Sequence, residues 1–233
     1  MTDPGGSAPA PDLLLFYGGT FDPVHNGHLA IARAARDRLH CPVRLMPAGD
    51  PPHRPPPGAS AEHRAAMLRL ALAEERELCM DRRELERGGR SYTVETLRAL
   101  RRGRPCASVA LLLGADSFAG LMSWKDWRDL FSLAHLVIAE RAGSPLGDLA
   151  APLAAELEAR GGADAAALRR VPAGRILRLQ QPLSGESATR LRALIAAGGD
   201  WRRLLPAAVA GYIDHHGLYR DGGGDGGAGA APL

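Results

Sequence analysis

The sequence predicts an α/β protein built on a mostly parallel sheet with helices on both faces, and three observations carry that expectation. Apolar runs of strand length alternate with longer amphipathic stretches, as repeated β-α units require. Val109–Leu113 is an unbroken Val/Ala/Leu run without polar alternation, as in a central parallel strand covered on both sides. Glycine-rich and polar motifs fall directly after these runs, where open parallel sheets bind ligands. The expected architecture is Rossmann-like and doubly wound.

The elements follow in chain order. A strand is expected at Leu13–Tyr17, stopped by Gly18-Gly19, and a helix at Gly27–Leu39, where Leu29, Ala32, Ala35 and Leu39 recur at helical spacing. Val43–Met46, set between Pro42 and Pro47, reads as the second strand, and Ser60–Ala73 as a helix opened by a capping hydroxyl. Thr93–Arg101 repeats Val94, Leu97 and Leu100 and is expected to be helical; Val109–Gly114 is the central strand. Strands at Leu136–Ala139 and Ile176–Leu179 flank a helix at Leu149–Ala159, in which Leu149, Leu153 and Leu157 share a face. Helices at Thr189–Ala197 and Pro206–His215 close the unit. Residues 1–12, rich in Pro, Gly and Ser, and 221–233, largely Gly and Ala, read as disordered tails around a single domain over 13–220.

Composition bounds the function. The 233 residues are 45% hydrophobic and 24% charged, enough for one sizeable core, and exclude collagen, coiled coil and global disorder. A formal charge of +3, with Asp and Glu interspersed among the arginines, argues against a nucleic-acid partner and suits a small phosphorylated ligand. Cys41, Cys79 and Cys106 are far apart and form no metal or redox spacing, which fits a reducing cytoplasm. No leader or membrane-spanning stretch is evident, so a cytoplasmic location is expected.

After the first strand the chain reads Gly18-Gly19-Thr20-Phe21-Asp22-Pro23-Val24-His25-Asn26-Gly27-His28. Two glycines let backbone N–H groups approach a phosphate, and His25 and His28, three residues apart at a helix start, can face an anion at the positive end of the helix dipole. Taken alone, the same residues also fit a tight turn with two incidental histidines, or two ligands of a metal that lacks a third. Ser187, Thr189 and Arg192 at the start of a later helix form a second possible anion site, although Ser187 or Thr189 alone is also an ordinary N-cap. Thr93 reads as an N-cap.

The first segment resembles the GGTFDPxHxGH signature of the bacterial nicotinate-nucleotide adenylyltransferases, within the H-x-G-H nucleotidyltransferases. Pro51-Pro52-His53-Arg54, Ser91-Tyr92-Thr93-Val94-Glu95-Thr96-Leu97, Gly114-Ala115-Asp116 with Trp124, Ser187-Ala188-Thr189-Arg190-Leu191-Arg192 and the closing Tyr212 to Tyr219 segment are similar to further motifs of that family. The family's isoleucine before the serine is Glu186 here. The resemblance implies transfer of the adenylyl group of ATP to nicotinate mononucleotide, giving deamido-NAD and pyrophosphate, by in-line attack without a covalent enzyme intermediate. It implies His25, His28 and Arg192 as catalytic groups, with Gly18, Gly19, Thr20, Phe21, Ser187 and Thr189 binding ATP. Arg54, Tyr92, Thr93, Asp116, Trp124 and Arg141 would bind the mononucleotide, and Mg2+ would enter as a cofactor with ATP, without a dedicated protein ligand. The same fold with nicotinamide mononucleotide or phosphopantetheine as acceptor, and a nucleotide-binding sensor without turnover, are the competing readings.

Overall fold

The computed structural model describes residues 13–50, 56–141, 146–147, 149–181 and 187–220, with the side chains of Arg141 and Gln181 left aside. The two segments read as tails, Arg54 and Glu186 lie outside the described residues.

The elements run β1 (Leu13–Gly19), α1 (Asn26–Leu39), β2 (Val43–Pro47), α2 (Ala61–Leu72), β3 (Leu78–Met80), α3 (Arg83–Arg87), α4 (Thr93–Gly103), β4 (Ser108–Gly114), α5 (Ala115–Ala119), α6 (Leu130–Leu133), β5 (His135–Arg141), α7 (Ala151–Arg160), α8 (Ala165–Arg170), β6 (Ile176–Gln181), α9 (Ala188–Ala196) and α10 (Ala207–His216). The sheet has the order β3-β2-β1-β4-β5-β6, and every pairing is parallel. Each expected strand is present, lengthened by one to three residues. β3 was not expected, since Leu78-Cys79-Met80 is a three-residue strand whose partner is the free edge of β2. Its pairing is supplied by tertiary structure, because its own apolar run is too short to signal a strand.

The period-2 alternation of a strand divides the core into two layers. Leu15, Tyr17, Ala110, Leu112, Val137, Ala139, Leu177 and Leu179 face a layer that includes residues of α1, α2, α9 and α10. Phe16, Val109, Leu111, Leu113, Leu136, Ile138 and Ile176 face the other, with Val94 and Leu97 of α4 and Leu153 of α7. Helices therefore cover both faces of the sheet. The chain order reverses between β1 and β4, so the crevice beyond Gly19 and Gly114 is the expected ligand position. Among the described residues, no helix is long and apolar enough to cross a membrane.

His135, at the start of β5, is fully buried. Its Nδ1 accepts the Arg175 N–H at 3.0 Å and its Nε2 lies 3.0 Å from the Val171 carbonyl, so the neutral ring with its proton on Nε2 satisfies both partners. Burial pushes its pKa below the ordinary histidine value, against the opposing pull of the Val171 and Leu168 carbonyls. A depressed histidine supports the fold above the unfolded-state pKa of about 6.5, and that support is lost as pH falls through the folded-state pKa. In denaturant titrations, the stability advantage of wild type over His135→Leu is expected to narrow as pH is lowered below about 6.5. A gap independent of pH would show that the ring's protonation does not matter to folding.

Candidate active site

The turn from β1 to α1 is shaped by close approaches. Phe21 adopts φ 51° and buries its ring against Tyr17 and His28, with centroids 5.6 and 5.1 Å away. A Cβ on Gly19 would stand 2.9 Å from that ring, so only glycine fits there. The Phe21 ring thus packs beneath the turn, and Gly18, Gly19 and Thr20 line the crevice.

His25 is the N-cap of α1 and His28 its third residue, and the two imidazoles cap the helix reciprocally. His25 Nδ1 accepts the His28 N–H and His28 Nδ1 accepts the His25 N–H, both at 3.3 Å, while the rings stack with centroids 3.7 Å apart. A backbone N–H can only donate, which assigns the ring proton of each neutral imidazole to Nε2. Two N–H donors of fixed tautomer are thereby held together at the positive end of a 14-residue helix. This is a capping box in which histidines replace the usual Ser and Glu.

Beyond the carboxyl ends of β1, β2 and β4 lies a cleft of about 660 Å3, including its open mouth. It is lined by Gly18, Gly19 and Thr20, by Met46 and Ala48, by Leu111 to Leu113, and by Glu84, Ser91, Thr93, Ser117 and Trp124. Thr93 is the first residue of α4, and the N-cap is Tyr92, correcting the expectation that Thr93 caps this helix. The Tyr92 side chain makes no capping bond to α4, whose first turn carries N–H donors suited to an anion. Lys125 Nζ sits 4.7 Å above the Tyr92 ring and 2.6 Å from Glu95 Oε1, tying the segment that carries Trp124 to the start of α4. Asp116 is exposed on α5, and its neighbour Ser117 is the residue that lines the cleft.

Glu84 was not anticipated. It is buried, and its Oε1 accepts the Thr96 hydroxyl at 2.7 Å, while Arg87 Nη1 donates to Thr96 Oγ1 at 2.9 Å. Burial raises its carboxyl pKa, opposed by hydrogen bonds from Thr96 and Ser91 and by the charge of Arg87. Ser91 in turn accepts the Gly49 N–H at 2.9 Å, which links the loop after β2 to the approach to α4. The burial of Arg64 was not anticipated either: it is 1% exposed and donates to the carbonyls of Thr20, Ala48, Gly49 and Ala59 at 2.9, 2.7, 2.7 and 3.3 Å.

The start of α9 reaches the same turn from the other side of the chain. Ser187 is its N-cap, accepting the Arg190 N–H at 3.2 Å, and Thr189 is its second residue. Arg192 Nη1 donates to the Asp22 carbonyl at 2.7 Å and stands 3.4 Å from Asp22 Oδ2. Asp22 also accepts the Tyr219 hydroxyl at 2.7 Å; burial and that carboxylate hold the phenol well above its ordinary pKa, so it remains a donor. The structure thus gathers Gly18, Gly19, Thr20, His25, His28 and Arg192 around one turn, and Thr93 and Trp124 around the adjoining cleft. Arg141 ends β5, its side chain outside the description. Among the described residues, no three His, Cys, Asp or Glu side chains converge on a metal-sized site.

The cytidylyltransferase-like family matches residues 16–194. A probable nicotinate-nucleotide adenylyltransferase of Stenotrophomonas maltophilia is 56% identical over 215 residues, covering 89% of this chain and 97% of the relative. One from Xylella fastidiosa strain M23 is 48% identical, covering 90% and 97%. The solved structure of Plasmodium falciparum nicotinic acid mononucleotide adenylyltransferase complexed with NaAD superposes with a TM-score of 0.65 at 16% identity, over 89% of this chain and 97% of that one.

Proposed function

The chain belongs to the cytidylyltransferase-like family and, within it, to the nicotinate-nucleotide adenylyltransferases, and from that membership we propose that its crevice joins ATP to nicotinate mononucleotide, releasing pyrophosphate and deamido-NAD as a step of NAD biosynthesis. The observation that carries the reading is a crevice at the strand-order reversal, lined on one side by Gly18, Gly19 and Thr20 of the turn that leads to the paired-imidazole helix start, and on the other by Thr93 at the start of α4 and by Trp124. The first suits phosphates. The second suits a planar ring bearing a carboxylate.

The mononucleotide phosphate oxygen attacks the α-phosphorus of ATP; a new P–O bond forms as the bond to the bridging oxygen breaks, and pyrophosphate leaves with that electron pair. No protein nucleophile is needed, so the enzyme's contribution is alignment and charge stabilisation. His25 and His28 donate Nε2–H to the α- and β-phosphate oxygens as charge develops. Arg192, with Ser187 and Thr189, takes the β/γ end, and Gly18, Gly19 and Thr20 bring backbone N–H groups to the nucleotide. Thr93 and Tyr92 at the start of α4 receive the nicotinate carboxylate, with Trp124 stacked on the ring and Asp116, Arg141 and Arg54 assigned to the mononucleotide. Mg2+ enters as part of the ATP substrate, held by phosphate oxygens and water.

The test is pyrophosphate release from MgATP with nicotinate and nicotinamide mononucleotides compared in parallel. Turnover with the acid form and a much lower kcat/KM with the amide is the expected result. Preference for the amide would overturn the carboxylate assignment at α4, and silence with both would overturn the acceptor.

A further inference from the structure

The turn beside the crevice, the loop before α2 and the C-terminal Tyr219 meet on one carboxylate. Asp22, between β1 and α1, is 3% exposed. Its Oδ2 accepts the Gly58 N–H at 2.7 Å; its Oδ1 accepts the Ala59 N–H at 3.1 Å and the Tyr219 hydroxyl at 2.7 Å. These donors occupy the carboxylate before Arg192 reaches it. The arginine is left with a carbonyl bond and a 3.4 Å approach to Oδ2. A guanidinium in this chain can take both oxygens of a carboxylate, as Arg178 does on Glu140 at 2.6 and 2.7 Å and Arg202 on Asp214 at 3.0 and 2.9 Å, although others, such as Arg203 on Asp200, hold one.

Packing reinforces the arrangement. A Cβ on Gly58 would stand 3.2 Å from Arg192 Cδ and 3.2 Å from two carbons of the Tyr219 ring, so the arginine stem and the tyrosine lie together over a position without a side chain. Tyr219 adopts φ 63°, a conformation that a residue with a bulky side chain keeps only where its surroundings hold it. The strained residue aims one hydroxyl at one buried oxygen, far from it in sequence.

We propose that Tyr219 is a positioning residue for adenylyl transfer: by filling Asp22 Oδ1 it prevents Arg192 from closing a bidentate ion pair and leaves the guanidinium poised for the departing pyrophosphate. The inference rests on the assignment of Arg192 to the β/γ-phosphates. Without the hydroxyl, Arg192 turns onto Asp22, and ATP must compete with an internal carboxylate for the same cation.

The experiment is a double-mutant cycle on the full chain, with Tyr219→Phe, Arg192→Ala and the pair, read by steady-state kinetics for each substrate and by thermal melting. Tyr219→Phe is expected to lower kcat/KM for ATP about tenfold while KM for nicotinate mononucleotide stays within about twofold. In the Arg192→Ala background the same change should leave kcat/KM for ATP unaltered, although it still lowers Tm. A kinetic loss of the same size in both backgrounds, or none in either, overturns the positioning role. Normal ATP kinetics in Arg192→Ala alone would instead remove the assignment of Arg192 and the proposal with it. Should Tyr219→Phe not fold, Gly58→Ala, whose Cβ crowds the Arg192 stem and the tyrosine ring, is expected to give the same ATP-selective loss; a loss shared by both substrates overturns the proposal.

Discussion

Replacing His28 by alanine is expected to lower kcat by about 10²-fold or more while KM for ATP changes only a few-fold. The reason lies in how the ring is held. Its Nδ1 is committed to the His25 N–H and its face to the His25 ring, so the Nε2 donor is fixed before substrate arrives. Such a donor stabilises charge that builds on the phosphates in the transition state more than charge already spread over bound ATP. The variant also loses half of the reciprocal cap, worth about 1 kcal/mol of helix stability, which a domain of this size tolerates. Steady-state kinetics with circular dichroism separates the two effects. Equal losses in kcat and in ATP binding, with normal melting, would mean that the ring acts by ground-state binding alone.

The largest stability effect is expected at Arg64. Its guanidinium is a buried cation whose partners are backbone carbonyls of the β1–α1 turn, the loop after β2 and the loop before α2. Burial works against its charge, and Asp22 and Asp50 nearby work in its favour. Arg64→Met fills much of the volume but strands those carbonyls, at a cost of about 3–5 kcal/mol by analogy with other disrupted buried charge networks. For a domain of this length that is a fall in Tm on the order of 10 °C. Arg64→Lys keeps the charge yet offers three donors from one point in place of a planar fork, and should recover only part of the loss. Unchanged melting in Arg64→Met would show that water replaces the guanidinium without cost.

The residues that the sequence made legible share a feature: their role is written in local pattern. β4 announced itself by a run without polar interruption, and β1 by an apolar run ended by two glycines. The histidine pair was visible because its spacing matches one helical turn. What escaped depends on contacts between distant segments. Arg64 sits in an amphipathic helix where any arginine reads as solvated, and nothing local marks it as 1% exposed. Glu84 lies in the run Asp81-Arg82-Arg83-Glu84-Leu85-Glu86-Arg87, which has the look of a charged surface. Its burial follows from Thr96 and Ser91, which fold over it from the start of α4. Thr93 has the side chain of an N-cap, yet the helix begins with it because Tyr92 holds the extended backbone, with φ −97° and ψ 120°. The hydrogen bond between Asp22 and Tyr219 spans 197 residues and is invisible to any local reading.

The proposed transfer is a single displacement driven by alignment and fixed donors. The stereochemical course at phosphorus distinguishes it from a two-step route, using one diastereomer of ATP carrying sulfur on the α-phosphate with nicotinate mononucleotide as acceptor. Inversion at the α-phosphorus of the dinucleotide product is the expected result, since the acceptor oxygen attacks opposite the departing pyrophosphate. Retention would require two displacements, hence an adenylylated side chain, and would contradict the roles given to His25, His28 and Arg192 as donors alone.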